Sequence, residues 1–214
     1  MAIEKKQFLD DLVADLRPVS VLPSPISRAI LVCGIAIPVI FSAMYLYQPF
    51  RTGVSAFWGS AALFQIEIFL GLFSASVLVF AGFLLVIPGE KAQRSILTFA
   101  ILSFLLWLAL IFHSLLTPHI AVSMVGKREI CFLEVPFYGS LLALALFYLN
   151  RKLLIASPLW VGICFGIGAG LVPAVLMQAA CMYDPMHNLL FHVAPILVVM
   201  GIAVGISLFR LKRL

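Results

Sequence analysis

The stretch Ser95–Thr117 reads SILTFAILSFLLWLALIFHSLLT, without one Asp, Glu, Lys or Arg. About 20 apolar residues at about 1.5 Å each cross the hydrocarbon core of a bilayer as a helix. Working outward, the same kind of gap recurs. Uncharged runs lie between Arg28 and Arg51, Glu67 and Glu90, Arg94 and Lys127, Glu134 and Arg151, Lys152 and Asp184, and Asp184 and Arg210. Helices are expected at about 29–47, 62–87, 95–117, 130–150, 157–182 and 188–209. The fourth carries Glu134 inside its apolar run. Hydrophobic residues make up 64% of 214, charged residues 11%, and the mean hydropathy is +1.16. So few charges do not cover a water-soluble domain of this length. The expected fold class is all-α, a polytopic bundle of six transmembrane helices.

Met1 to Pro25 reads differently. Glu4, Lys5, Lys6, Asp10, Asp11, Asp15 and Arg17 precede the first apolar run. A secretory signal passes quickly from a basic start to an apolar core, so none is read here. Two parts are expected, a cytoplasmic segment 1–25 and a membrane body 26–214. The cationic residues fix the orientation. With the N-terminus inside, eleven Lys and Arg fall on inner segments, and three (Arg51, Lys127, Arg128) fall on outer ones. Both termini are therefore expected in the cytoplasm. The net charge of +5 reads as this topological bias plus contact with anionic lipid, not as nucleic-acid binding.

On this topology the chemically capable residues collect near the outer side. His113 lies near the end of helix three, and His119 in the loop beyond it. Glu129 and Cys131 open helix four, with Glu134 one turn deeper. Cys181 ends helix five, Asp184 and His187 follow, His192 starts helix six, and Glu67 lies at similar depth in helix two. Polar side chains at membrane depth are costly and turn to the bundle interior or to water, so a polar pocket is expected here. Its chemistry reads three ways. Cys131, Cys181, His187 and His192 are a ligand set for zinc, cadmium or a similar metal ion. Cys131 and Cys181 are also a pair that an oxidising compartment can join in a disulfide. The third reading is small helix-end thiols beside satisfied interfacial histidines. No CxxC or HxxxH motif decides among them. Cys33 and Cys164 read as packing residues in apolar walls.

Gly162, Gly166 and Gly170 in helix five, and Gly201 and Gly205 in helix six, are spaced for close helix approach. They serve packing within the monomer or a homodimer seam. Pro38, Pro136, Pro173 and Pro195 fall inside helices, where kinks are tolerated if neighbours satisfy the freed carbonyls.

Phe8, Leu9, Leu12, Val13 and Leu16 form an apolar stripe at helical spacing, with Asp10, Asp11 and Asp15 on the remaining surface and Pro18 ending it. A membrane-surface helix is normally basic on its polar face. The acidic face points instead to a protein partner's groove.

The stretch Leu12-Val-Ala-Asp15-Leu16-Arg17-Pro18-Val19, followed by a six-helix body, resembles the NrsF family of negative regulators of extracytoplasmic-function sigma factors. Cys131 opening helix four, Cys181-x-x-Asp184-x-x-His187, His192 and the basic tail Arg210-Leu-Lys-Arg213 fit the same resemblance, which covers the whole chain. It departs in the linker Val19–Pro23, where relatives are expected to carry more arginine. The resemblance implies an anti-sigma factor of the bacterial inner membrane and not an enzyme. Leu12, Asp15, Leu16, Arg17 and Pro18 would hold the sigma factor, and Cys131 and Cys181 would sense heavy metal or oxidant from outside. A signal at the pocket would draw the outer ends of helices four and five together and tilt helix one. The rival classes are a membrane thiol oxidoreductase and a metal transporter. The first lacks a CxxC pair, and the second lacks polar residues through the inner half.

Overall fold

A computed structural model of the chain describes residues 23–50, 61–87, 89, 93–118, 120–151, 153, 155 and 157–211. The expected N-terminal helix, with Leu12, Asp15, Leu16, Arg17 and Pro18, lies outside the described residues, as does His119.

The fold is all-α, and no strand occurs among the described residues. The helices are α1 Pro25–Tyr47, α2 Ala62–Leu85, α3 Gln93–Leu116, α4 Cys131–Leu149, α5 Pro158–Ala180, the single turn α6 Pro185–His187 and α7 Ile196–Leu211. A π-helical stretch, Asn188–Val193, joins α6 to α7. Six helices, the last running Pro185–Arg210, are long and apolar enough to cross a membrane. This suits a multi-pass membrane protein. Leu46, Leu116 and Leu197 stand outward at 82%, 84% and 64% exposure. Acyl chains tolerate such residues, whereas water would not.

α1 starts one turn before the first charge in it. Ser24 caps it, its hydroxyl accepting from Ser27 N–H at 3.2 Å, and Pro25 takes the first helical position. Arg28 therefore belongs to the first turn of α1 and is buried.

α5 is the axis of the bundle, with 78% of its apolar window buried. Its glycines explain the depth. A Cβ on Gly162 would stand 2.7 Å from Val204 Cα, one on Gly166 2.5 Å from Met200 Cα, and one on Gly170 3.2 Å from the Ile196 side chain. The double GxxxG is thus a seam with α7 inside one chain. Gly168 meets Ala75, Leu78 and Val79 of α2 on another side, and Gly139 of α4 approaches Gly170. Gly201 and Gly205 point elsewhere, and a Cβ on either would meet nothing within 4 Å.

One end of the bundle is closed by cations. Arg210 donates to Phe147 O and Asn150 O, each at 3.1 Å, as a second donor to carbonyls at the end of α4, where a cation suits the helix dipole. Arg28 reaches the same place. Its Nη1 donates to Asn150 Oδ1 at 2.8 Å, and its guanidinium lies 4.7 Å from the Phe83 ring centre. The other end holds the cysteines.

Candidate metal and thiol site

Two loops build the cysteine end. After α3 the chain turns at Gly126, whose φ of 79° is left-handed, and runs through Arg128 into α4. After α5 it passes Cys181–Asp184 and re-enters as α6. Ser123 N–H donates to Tyr183 O at 2.9 Å, so the loops are tied to each other. The Tyr183 ring packs edge-on against Phe64 at the start of α2. Cys131 and Cys181 are thereby brought from the ends of α4 and α5 to one place, both buried.

The histidines arrive from the other side. Asp184 caps α6, its carboxylate accepting from Met186 N–H at 2.8 Å and His187 N–H at 3.1 Å. His187 and His192 are five residues apart. In an α-helix of about 3.6 residues per turn, that spacing would point them to different faces. The π-helical stretch, with Ala194 N–H donating to Leu189 O, brings residues five apart close to alignment. The two rings lie 5.1 Å apart and nearly perpendicular.

The result is one cluster. A ligand atom from each of Cys131, Cys181, His187 and His192 lies within 4.8 Å of all the others. His187 Nε2 is 3.4 Å from Cys131 Sγ and 3.6 Å from Cys181 Sγ. Tetrahedral zinc, with Zn–S about 2.3 Å and Zn–N about 2.0–2.1 Å, sets ligand–ligand edges of roughly 3.4–3.8 Å. The donor set suits such an ion, and the two His187–sulfur edges already have that length. The ring orientation fits it as well. His192 Nδ1–H donates to Asn188 Oδ1 at 3.0 Å, since that oxygen only accepts. Nε2 then carries the lone pair, and it is buried without a hydrogen-bond partner. An outer amide that fixes the tautomer is the usual support of a metal-binding histidine. His187 is stacked on Phe191 at 4.7 Å.

Cys181 is the more acidic sulfur. A hydrogen bond from the Cys131 thiol and the Arg128 backbone hold its thiol below the ordinary range, against the opposing effect of burial. All four described cysteines are free thiols. Cys164 is buried two turns into α5 and Cys33 lies in α1, both outside this cluster.

The other residues of the expected pocket have different partners. Glu134 is turned to Arg128 in a buried ion pair at 3.1 Å. Glu67 is fully buried and accepts from Gln178 Nε2 at 2.9 Å. His113 is exposed and shares a hydrogen bond with Thr117. Asp184 supports His187 through its backbone rather than joining the donor set. In the sequence Arg128 reads as an outer-loop charge, yet its side chain is fully buried. The signal for it was present, since Arg128 and Glu134 are opposite charges six residues apart at the mouth of a membrane helix.

A family model, NrsF, described as negative regulator of sigma F, matches residues 12–211. No curated protein and no solved structure matches the chain.

Proposed function

This chain belongs to the NrsF family of negative regulators of a sigma factor, and we propose that it holds an extracytoplasmic-function sigma factor at the inner membrane and releases it on a signal at Cys131 and Cys181. The observation that carries this reading is the four-donor cluster of Cys131, Cys181, His187 and His192 within 4.8 Å. Thiolate and neutral imidazole select zinc, cadmium and similar ions. The cluster joins the ends of α4 and α5 to the start of the sixth span. An ion captured there makes new bonds to three separate elements, which is the differential interaction a two-state switch requires. A two-electron oxidant acts on the same sulfurs. It closes a Cys131–Cys181 disulfide and takes up the two electrons, while the proton of the Cys131 thiol goes to water.

The effector is the N-terminal segment on the cytoplasmic side, as the bias of Lys and Arg to one set of segments supports. The apolar stripe of Leu12 and Leu16, flanked by Asp15, Arg17 and Pro18, docks in the sigma factor's groove. Glu67, His113, Asp184 and Glu134 surround or support the sensing end without ligating. The test is co-purification of sigma factor with the full-length chain from detergent-extracted membranes. The double change Leu12→Asp and Leu16→Asp should abolish it while membrane yield stays at the wild-type level. Sigma factor retained by that variant would sink the assignment of the effector.

A further inference from the structure

α1 leads directly from the N-terminal segment into the membrane body, and most of its surface faces outward. Of its apolar window 22% is buried, against 61% for α2 and 78% for α5. Its ends are held differently. At the far end Arg28 is tied to Asn150. At the cysteine end the clasp is Arg128, whose side chain is fully buried. Its Nη1 donates to Gln48 O at 2.6 Å and its Nη2 to Met44 O at 3.2 Å, the latter carbonyl also accepting from Gln48 N–H. The same guanidinium forms a fork on Glu134 of α4, with Nε to Oε1 at 3.2 Å and Nη2 to both oxygens at 3.1 Å. Cys131, which opens α4, follows Arg128 by three residues. Arg128 therefore stands three residues before one sulfur of the site and holds α1 with its side chain.

We propose that Arg128 is the positioning residue that carries the state of the thiol site to α1, and so to the N-terminal segment. This rests on the metal reading of the site given above. A metal ion on Cys131 and Cys181 resets the 128–131 backbone. The guanidinium moves with it, and the end of α1 follows because a buried fork with four hydrogen-bonded partners shifts as a unit. α1 is about 35 Å long at about 1.5 Å per residue, long enough to carry the shift across the bilayer.

The test uses the full-length chain co-expressed with its sigma factor and titrated with cadmium chloride. Two quantities are read from one sample, the ultraviolet thiolate-to-cadmium charge-transfer band and the fraction of sigma factor retained. The variant is Arg128→Met with Glu134→Gln, which frees α1 without leaving either charge buried and unpaired. Cadmium binding should weaken by less than the roughly tenfold loss that marks a damaged metal support, while sigma retention no longer changes with cadmium. If the double variant does not accumulate, Arg128→Lys keeps the cation but not the fork and should uncouple in the same way. A variant that releases sigma factor over the wild-type cadmium range overturns the proposal. So does one that loses the band and the response together, since Arg128 would then only hold the site in shape. A wild-type chain with no band at all refutes the metal reading itself, which the control titration shows separately.

Discussion

Nε2 of His187 lies 3.4 Å from Sγ of Cys131, although 56 residues separate them in the chain. The same nitrogen is 3.6 Å from Cys181 Sγ. One ring thus sits between two sulfurs delivered by different helices, and the fold has assembled donors that no local motif contains.

The histidine support can be tested without touching a sulfur. Asn188→Ala removes the acceptor that fixes His192, and metal affinity should fall about 10- to 100-fold. His192→Gln should weaken binding at least as much. Competition against a chelating dye measures both. Unchanged affinity in the two variants would mean that His192 is not a ligand.

Proton release follows from the state of Cys181. Its thiol is already held below the ordinary range by the Cys131 hydrogen bond. Near neutral pH, metal capture should therefore expel one thiol proton, that of Cys131, rather than two. Protons compete with the ion, so affinity weakens as pH falls, by about tenfold per unit for one proton. Calorimetry in buffers of different ionisation enthalpy counts the protons. A count of two would show that Cys181 is an ordinary thiol.

The Arg128–Glu134 pair makes an asymmetric stability claim. Glu134→Ala leaves a buried guanidinium without its carboxylate, and such a break costs about 3–5 kcal/mol. The double change Arg128→Met, Glu134→Gln should be milder than this single one. Thermal unfolding in detergent ranks them, and a double variant less stable than Glu134→Ala would contradict the account.

The glycine seam separates two positions that look alike in sequence. Gly166→Val would drive a side chain into Met200 Cα, which lies 2.5 Å from the ideal Cβ. Overpacking of this kind costs about 1–3 kcal/mol. Gly201→Val meets open space and should stay within about 0.5 kcal/mol of wild type. The same unfolding assay compares them.

The spans were legible because a bilayer demands long uncharged runs, and charge gaps mark these directly. Cys131, Cys181, His187 and His192 were legible as residues near one end of the bundle. Their joint geometry was not. It depends on the π-helical stretch Asn188–Val193, which changes which residues share a face and has no residue signature here. Glu134 and Glu67 were read as pocket groups because charge at membrane depth needs a partner, but sequence could not say which. Arg128 was hidden for the same reason, since a loop cation in a membrane protein reads as topology. The α5 glycines fitted either a seam within the chain or one between chains, and only the position of α7 separates these.

The most direct measurement is the fraction of sigma factor retained by the full-length chain with and without cadmium, in wild type, Cys131→Ser, Cys181→Ser, the double variant and Cys164→Ser. The wild type and Cys164→Ser should release sigma factor when cadmium is added. Each single serine variant should fail to respond as completely as the double one, because one sulfur alone can neither form a disulfide nor complete the two-thiolate site. A double variant that still responds to cadmium would contradict the account, as would two single variants that respond in opposite directions.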